Sequence, residues 1–137
     1  MKFSVTCGFL LTFTLPAAIC AAEELSAELA ESMESYCKLP EKLLPALSAA
    51  RDTDSADAAA VELRKLLPEV YRVCDRVRRI DRLTPEQSRI IRERYEQRMR
   101  AEWGKVYEHI FRLQHEQCYY SAAFNEQFQT LIMMLEQ

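Results

Sequence analysis

Glycine is almost missing from this sequence of 137 residues, with Gly8 and Gly104 its two examples. That scarcity excludes the glycine-rich phosphate loop and the dinucleotide-binding turn, which need several closely spaced glycines. Histidine is equally scarce, at His109 and His115. No Cys-x-x-Cys, H-E-x-x-H or G-x-S-x-G motif occurs, so the common zinc-hydrolase and nucleophile-elbow arrangements have no basis here. No run reaches the ~20 apolar residues of a membrane-spanning helix. No segment alternates apolar and polar residues as a half-buried strand would. The acids are numerous, but none forms an isolated pair in an apolar setting that would suggest acid–base work. Enzymatic activity and a cofactor are therefore not expected.

What is present begins with an export signal. Met1-Lys2 is a short basic start, "FSVTCGFLLTFTL" is an apolar run, and Pro16 opens the small-residue stretch "AAICAA". This order reads as a signal peptide over residues 1–22, cleaved after Ala22 with Ala21 as a close rival. A lipoprotein would acylate Cys20, but bulky Ile19 stands where glycine or alanine is expected. The expected location is periplasmic or secreted, with residues 23–137 forming one domain.

The mature sequence reads as all-α. Leu25, Leu29, Met33 and Tyr36 recur at helical spacing, predicting a first helix that ends near Leu39-Pro40. A short amphipathic piece with Leu43, Leu44 and Leu47 follows. Asp54 or Ser55 is expected to cap the next helix, whose stripe is Ala59, Leu63, Leu66, Val70, Cys74 and Val77. Pro68 falls inside that stripe without breaking its register, which predicts one helix kinked at the proline. In "LTPEQ", Thr84 is an N-cap, Pro85 the first helical residue and Gln87 the partner in a capping box. The helix it opens should reach about Glu116, with Ile91, Tyr95, Met99, Trp103, Val106, Ile110 and Leu113 on one face. Gly104 falls mid-helix and costs it ~1 kcal/mol relative to alanine, read either as a mild weakening or as the site of a close helix crossing. A last helix carries Tyr120, Phe124, Phe128, Leu131 and Leu135. Four such faces make a small bundle.

Charge is distributed unevenly. Residues 71–100 hold ten arginines against five acids in a chain of formal net charge −3. Lys65, Arg72, Arg76 and Arg79 share one side of the second helix, and Arg94, Arg98, Lys105 and Arg112 one flank of the third. Acids are interleaved at helical spacing, as in Asp75–Arg79, Arg89–Glu93, Arg92–Glu96, Glu96–Arg100 and Arg98–Glu102, and such pairs absorb part of the charge. The ridges are either a solvated, salt-bridged surface or a docking face for an acidic partner. Nucleic acid is not the expected partner: the domain is acidic overall, it carries an export signal, and no nucleic-acid-binding motif is present.

Cys37, Cys74 and Cys118 remain after cleavage. Three thiols allow at most one internal bridge, and Cys37–Cys74 is the expected pair if one forms, with buried free thiols as the alternative. His109, His115 and Cys118 are the weak candidates for metal ligation, short of the four ligands a structural zinc needs.

The signal, the compact helical domain and "LTPEQ" opening an arginine-rich helix together resemble the Spy/CpxP-like periplasmic proteins. The likeness covers Leu83 to about Arg100. That family carries L-T-x-x-Q motifs, usually two, and includes stress-response chaperones and metal-responsive members. The other candidate here, "LSAEL" at Leu25–Leu29, lacks the glutamine. "FRLQHEQCYYSAAF" also looks like segments of small exported bacterial helical proteins of unknown function. Two classes of function follow. One is an exported binding protein, chaperone-like or stress-related, docking an acidic or non-native client on its arginine ridges. The other is a structural or envelope-interaction subunit, and metal binding is a minor third. The partner is expected to be a protein, a second copy of the chain among the possibilities.

Overall fold

The structure, a computed structural model, describes residues 24–137. The expected signal peptide and Cys20 lie outside the described residues. Helix α1 spans Ala27–Ala49, α2 Thr53–Arg78, α3 Pro85–Ile91, α4 Gln97–His115 and α5 Ala122–Glu136, with no strand among the described residues. A π-helical turn, Arg92–Glu96, joins α3 to α4, so residues 85–115 form one rod and the fold is a small all-α bundle of four helices. None of the described helices is long and apolar enough to cross a membrane.

The first helix is longer than its prolines suggest. It runs through Pro40 and Pro45 to Ala49, absorbing the separate piece expected after Leu39. A proline at position 40 removes the amide that would bond the carbonyl of Tyr36, four residues back. The Trp103 indole Nε1 donates to that same carbonyl at 3.2 Å, replacing the lost partner from α4. The Tyr36 and Trp103 rings stack with centroids 4.8 Å apart. Helix α2 likewise passes through Pro68 as one helix.

Caps account for the helix starts. Asp52, not Asp54 or Ser55, caps α2: its carboxylate accepts from the Ser55 amide at 2.8 Å, while Ser55 Oγ accepts from the Asp52 amide at 3.0 Å. Thr84 and Gln87 form the capping box that "LTPEQ" predicts, at 3.1 and 3.0 Å.

Helices α1 and α2 form a central antiparallel pair, with α4 lying on α1 and α5 on α2. Leu43, Leu47, Leu63, Val70, Val106, Leu113, Phe124, Phe128 and Leu131 are fully buried in the main core. Each such side chain contributes about 1.5–3 kcal/mol by leaving water. A smaller cluster of Met33, Cys37 and Tyr95 closes the end near α3, flanked by Leu25, Leu29, Ile80 and Ile91. Tyr120, expected on the α5 stripe, is instead 81% exposed. It precedes the helix, in a turn where Gln117, Cys118, Tyr119 and Tyr120 all have φ between 51° and 60°.

Four consecutive left-handed residues without a glycine need external support. Thr53 Oγ1 donates to the Tyr119 carbonyl at 2.8 Å. Buried Ser121 donates to the Asp57 carboxylate and accepts from the Phe124 amide, which caps α5. Arg112 completes the junction. Its guanidinium donates to the carbonyls of Leu47 at 2.8 Å and Ala50 at 2.9 Å, and to the Tyr119 hydroxyl at 2.7 Å. The last turn of α1 has no basic residue of its own, so Arg112 supplies the cation that a helix C-terminus favours.

Candidate partner-binding surface

The two expected ridges fare differently. Arg72 and Arg76 on α2, and Arg79 at its C-cap, recur at spacings of four and three and share one exposed side. They form one wall of a groove whose other wall is α1. A cavity of about 210 Å³ lies between the helices, lined by Glu31, Lys38, Lys42, Glu69, Arg72 and Arg76 among others. A second, of about 420 Å³, continues toward the start of α1 and is bordered by Glu28, Leu29, Arg76, Arg79, Arg82 and Leu83. Arg76 lines both. Lys38 and Lys42 belong to this surface although the arginine count drew attention elsewhere. Their i,i+4 spacing on α1 was the available signal.

Acids moderate the groove without closing it. Arg76 is 3.5 Å from Glu31, and Arg72 is 3.9 Å from Glu69, whose carboxylate is held more closely by Lys42 at 2.6 Å. Arg79 pairs with Asp75 at 2.9 Å, and Lys65 with Glu62 at 2.7 Å. These pairs sit in solvent, where each is worth ~0–1 kcal/mol and exchanges readily for an external carboxylate.

The other ridge does not survive as a unit. Arg112 turns inward to the α1 terminus. Arg98 reaches across to Glu34 of α1 at 2.8 Å, not to Glu102, and this hydrogen bond is the main cause of a Glu34 pKa below the ordinary carboxylate value. Glu102 takes Lys105 at 3.0 Å instead. Arg94 stays exposed within the π turn and makes no ion pair with a described residue. Thus Arg98 and Arg112 brace the bundle, and only Arg94 and Lys105 of that set face outward. Of the interleaved pairs, Asp75–Arg79, Arg89–Glu93 and Glu96–Arg100 form.

Cys37, Cys74 and Cys118 are free and buried, and the Cys37–Cys74 bridge is not made. Cys37 packs with Met33 and Tyr95, whereas Cys74 belongs to the main core. Burial raises the pKa of each of the three thiols, which disfavours the nucleophilic thiolate. Burial also lifts the Tyr36 hydroxyl to about 12. His109, His115 and Cys118 do not come together: Cys118 is buried, His115 is exposed beside Glu116, and His109 Nδ1 lies 3.3 Å from Arg112. Among the described residues no group of three or more His, Cys, Asp or Glu side chains is placed to hold a metal ion.

The chain matches no protein-family model, no curated protein and no solved structure.

Proposed function

We propose that this is an exported, non-enzymatic binding protein that docks an acidic or non-native protein partner in the groove between α1 and the second half of α2. The observation that carries this is the convergence of Lys38, Lys42, Arg72 and Arg76 on one cavity, continued by Arg79 and Arg82 on the next. Arginine suits the task because its planar fork meets a carboxylate through two parallel hydrogen bonds. The apolar edge at Leu29, Ile80 and Leu83 adds contact area for a client that exposes hydrophobic side chains. The chaperone-like aspect draws on the resemblance of "LTPEQ" to the Spy/CpxP-like proteins, and the periplasmic or secreted location on the leader.

The test is a titration of the wild type and of an Arg72→Glu, Arg76→Glu, Arg79→Glu variant against an unfolding acidic client, at low and high salt. Binding should weaken as salt rises, since exposed charges are screened beyond about 8 Å at physiological ionic strength, and should be lost in the variant. Equal binding in all four conditions would leave the groove as solvated surface. The alternative, a structural or envelope-interaction subunit, is favoured by the exposed aromatic side chains on the outer face of α4. A protein of that kind would fail to suppress client aggregation at any salt concentration.

A further inference from the structure

Gly104 sits in the middle of the 19-residue helix α4, where glycine costs about 1 kcal/mol relative to alanine. Internal packing does not explain it. A Cβ placed there would meet no heavy atom within 4 Å among the described residues. The space over Gly104 is open, and the surrounding side chains are unusual for a solvated face. Phe111 is 66% exposed and Tyr107 44% exposed, one turn apart on this side of the helix. Tyr107 is held against Trp103, with centroids 6.3 Å apart.

At about 100° per residue, Arg100, Ala101, Gly104, Tyr107, Glu108 and Phe111 fall within about 60° of the Gly104 direction, together with the terminal Gln97 and His115. The buried residues Trp103, Val106, Ile110 and Leu113 lie about 100–180° from the Gly104 direction, so the arc faces away from the core and its Tyr107 edge borders Trp103. It is the outward side of a helix whose inner face rests on α1.

The charges on this arc are complementary to themselves. If two copies of α4 cross antiparallel on a two-fold axis at Gly104, a residue a given number of positions before the glycine meets the residue equally far after it. Arg100 then faces Glu108 of the second copy, and Glu108 faces its Arg100. Exposed Ala101 meets Tyr107 of the second copy, a small residue beneath a large ring. The glycines lie at the crossing, where a missing side chain lets two backbones approach. Glu108 makes no ion pair with a described residue. Arg100 holds only Glu96 of its own helix, at 2.7 Å.

We propose that the outward face of α4 is a self-association surface, pairing two copies of this chain antiparallel through Gly104. This does not rest on the α1–α2 groove, which lies on other helices and stays open in each copy. A single helix crossing buries less than the roughly 1,200 Å² of a standard interface, so the pair should be dynamic, with dissociation in roughly the micromolar range.

Sedimentation velocity on the purified protein, from about 1 µM to about 1 mM to bracket a weak interface, reads the outcome directly. The wild type should shift from monomer to dimer across the series. Gly104→Leu should raise the dissociation constant at least about tenfold without lowering the melting temperature of the dilute monomer, because its side chain projects into open space. Glu108→Arg should weaken pairing similarly, by setting it against Arg100 of the second copy. Combining Arg100→Glu with Glu108→Arg should restore it. A wild type that stays monomeric throughout, a dimer indifferent to Gly104→Leu, or a double swap no better than the single reversal would each overturn the proposal.

Discussion

Trp103 of α4 donates its indole hydrogen to the carbonyl of Tyr36, which has no helical partner because residue 40 is a proline. Two features that look like local defects, a proline mid-helix and a polar tip on a core residue, are one solution. Trp103→Phe should therefore destabilise the fold by about 1–3 kcal/mol through the orphaned acceptor, beyond any loss of ring volume. Pro40→Ala returns an amide to position 40, and in that background the same change should cost about 1 kcal/mol less. Denaturant unfolding of the four proteins measures the coupling. Strictly additive losses would mean that the indole hydrogen bond does not compensate for the amide missing at Pro40.

The arginines divide into braces and surface. Arg112→Ala removes charged hydrogen bonds to two α1 carbonyls and should cost at least about 1.5–3 kcal/mol. Arg112→Lys should recover only part of this, since an ammonium cannot reproduce the fork that spans Leu47, Ala50 and Tyr119. Reversing Arg72, Arg76 and Arg79 should shift the thermal midpoint little by comparison, because their pairs are solvated. Thermal melts of the variants side by side give the ranking, and an Arg112→Ala protein as stable as the triple reversal would contradict it.

Periodicity made the four helices legible, because each buries one stripe and "LTPEQ" carries its own cap. The errors have a common cause: propensity is local, while the compensations are supplied from elsewhere in the bundle. Pro40 reads as a helix end until Trp103 arrives from 67 residues away. Arg112 reads as one of a ridge until the end of α1 is placed beside it. The π turn left a trace that periodicity could have caught. Ile91, Tyr95, Met99 and Trp103 are spaced strictly by four, which would rotate an α-helical stripe by about 40° at each step. A wider turn at Arg92–Glu96 absorbs part of that rotation and helps Tyr95 into the small cluster. The candidate surface was half visible. Its α2 wall shows in the arginine count, but Lys38 and Lys42 enter only when α1 packs antiparallel to α2.

The left-handed turn supplies a substitution that should stabilise. Tyr120 has φ 60° and is 81% exposed, so it carries the conformational cost of that backbone with little burial in return. Glycine adopts the same φ without the Cβ clash, worth roughly 1–2 kcal/mol per residue. Part of this is offset by the greater freedom of glycine in the unfolded chain. Tyr120→Gly should raise stability by up to about 1 kcal/mol, whereas Tyr119→Gly should lower it by removing the hydroxyl that Arg112 contacts. Chemical denaturation distinguishes the two, and a loss of stability at both positions would show that the Tyr120 ring has a structural role.

His109 gives the fold a pH dependence of defined sign. Burial is the first cause of its lowered pKa and the neighbouring Arg112 cation the second, with Glu108 opposing them. The unfolded chain, near the ordinary value of 6.5, therefore takes up the proton more readily than the folded one. Stability from this group is fully present above that value. It declines as the pH falls toward the folded pKa, below which both states are protonated and no further loss occurs. The geometry agrees, since a neutral ring can accept from Arg112 through Nδ1 and a protonated ring repels it. Urea midpoints should fall between pH 7.5 and 5.5 in the wild type, and fall less in His109→Gln, which keeps an acceptor for Arg112 but does not titrate. The Glu34–Arg98 tie weakens only at lower pH, because the carboxylate of Glu34 is held below its ordinary range. Parallel slopes for the two proteins across that window would show that His109 is not the group responsible.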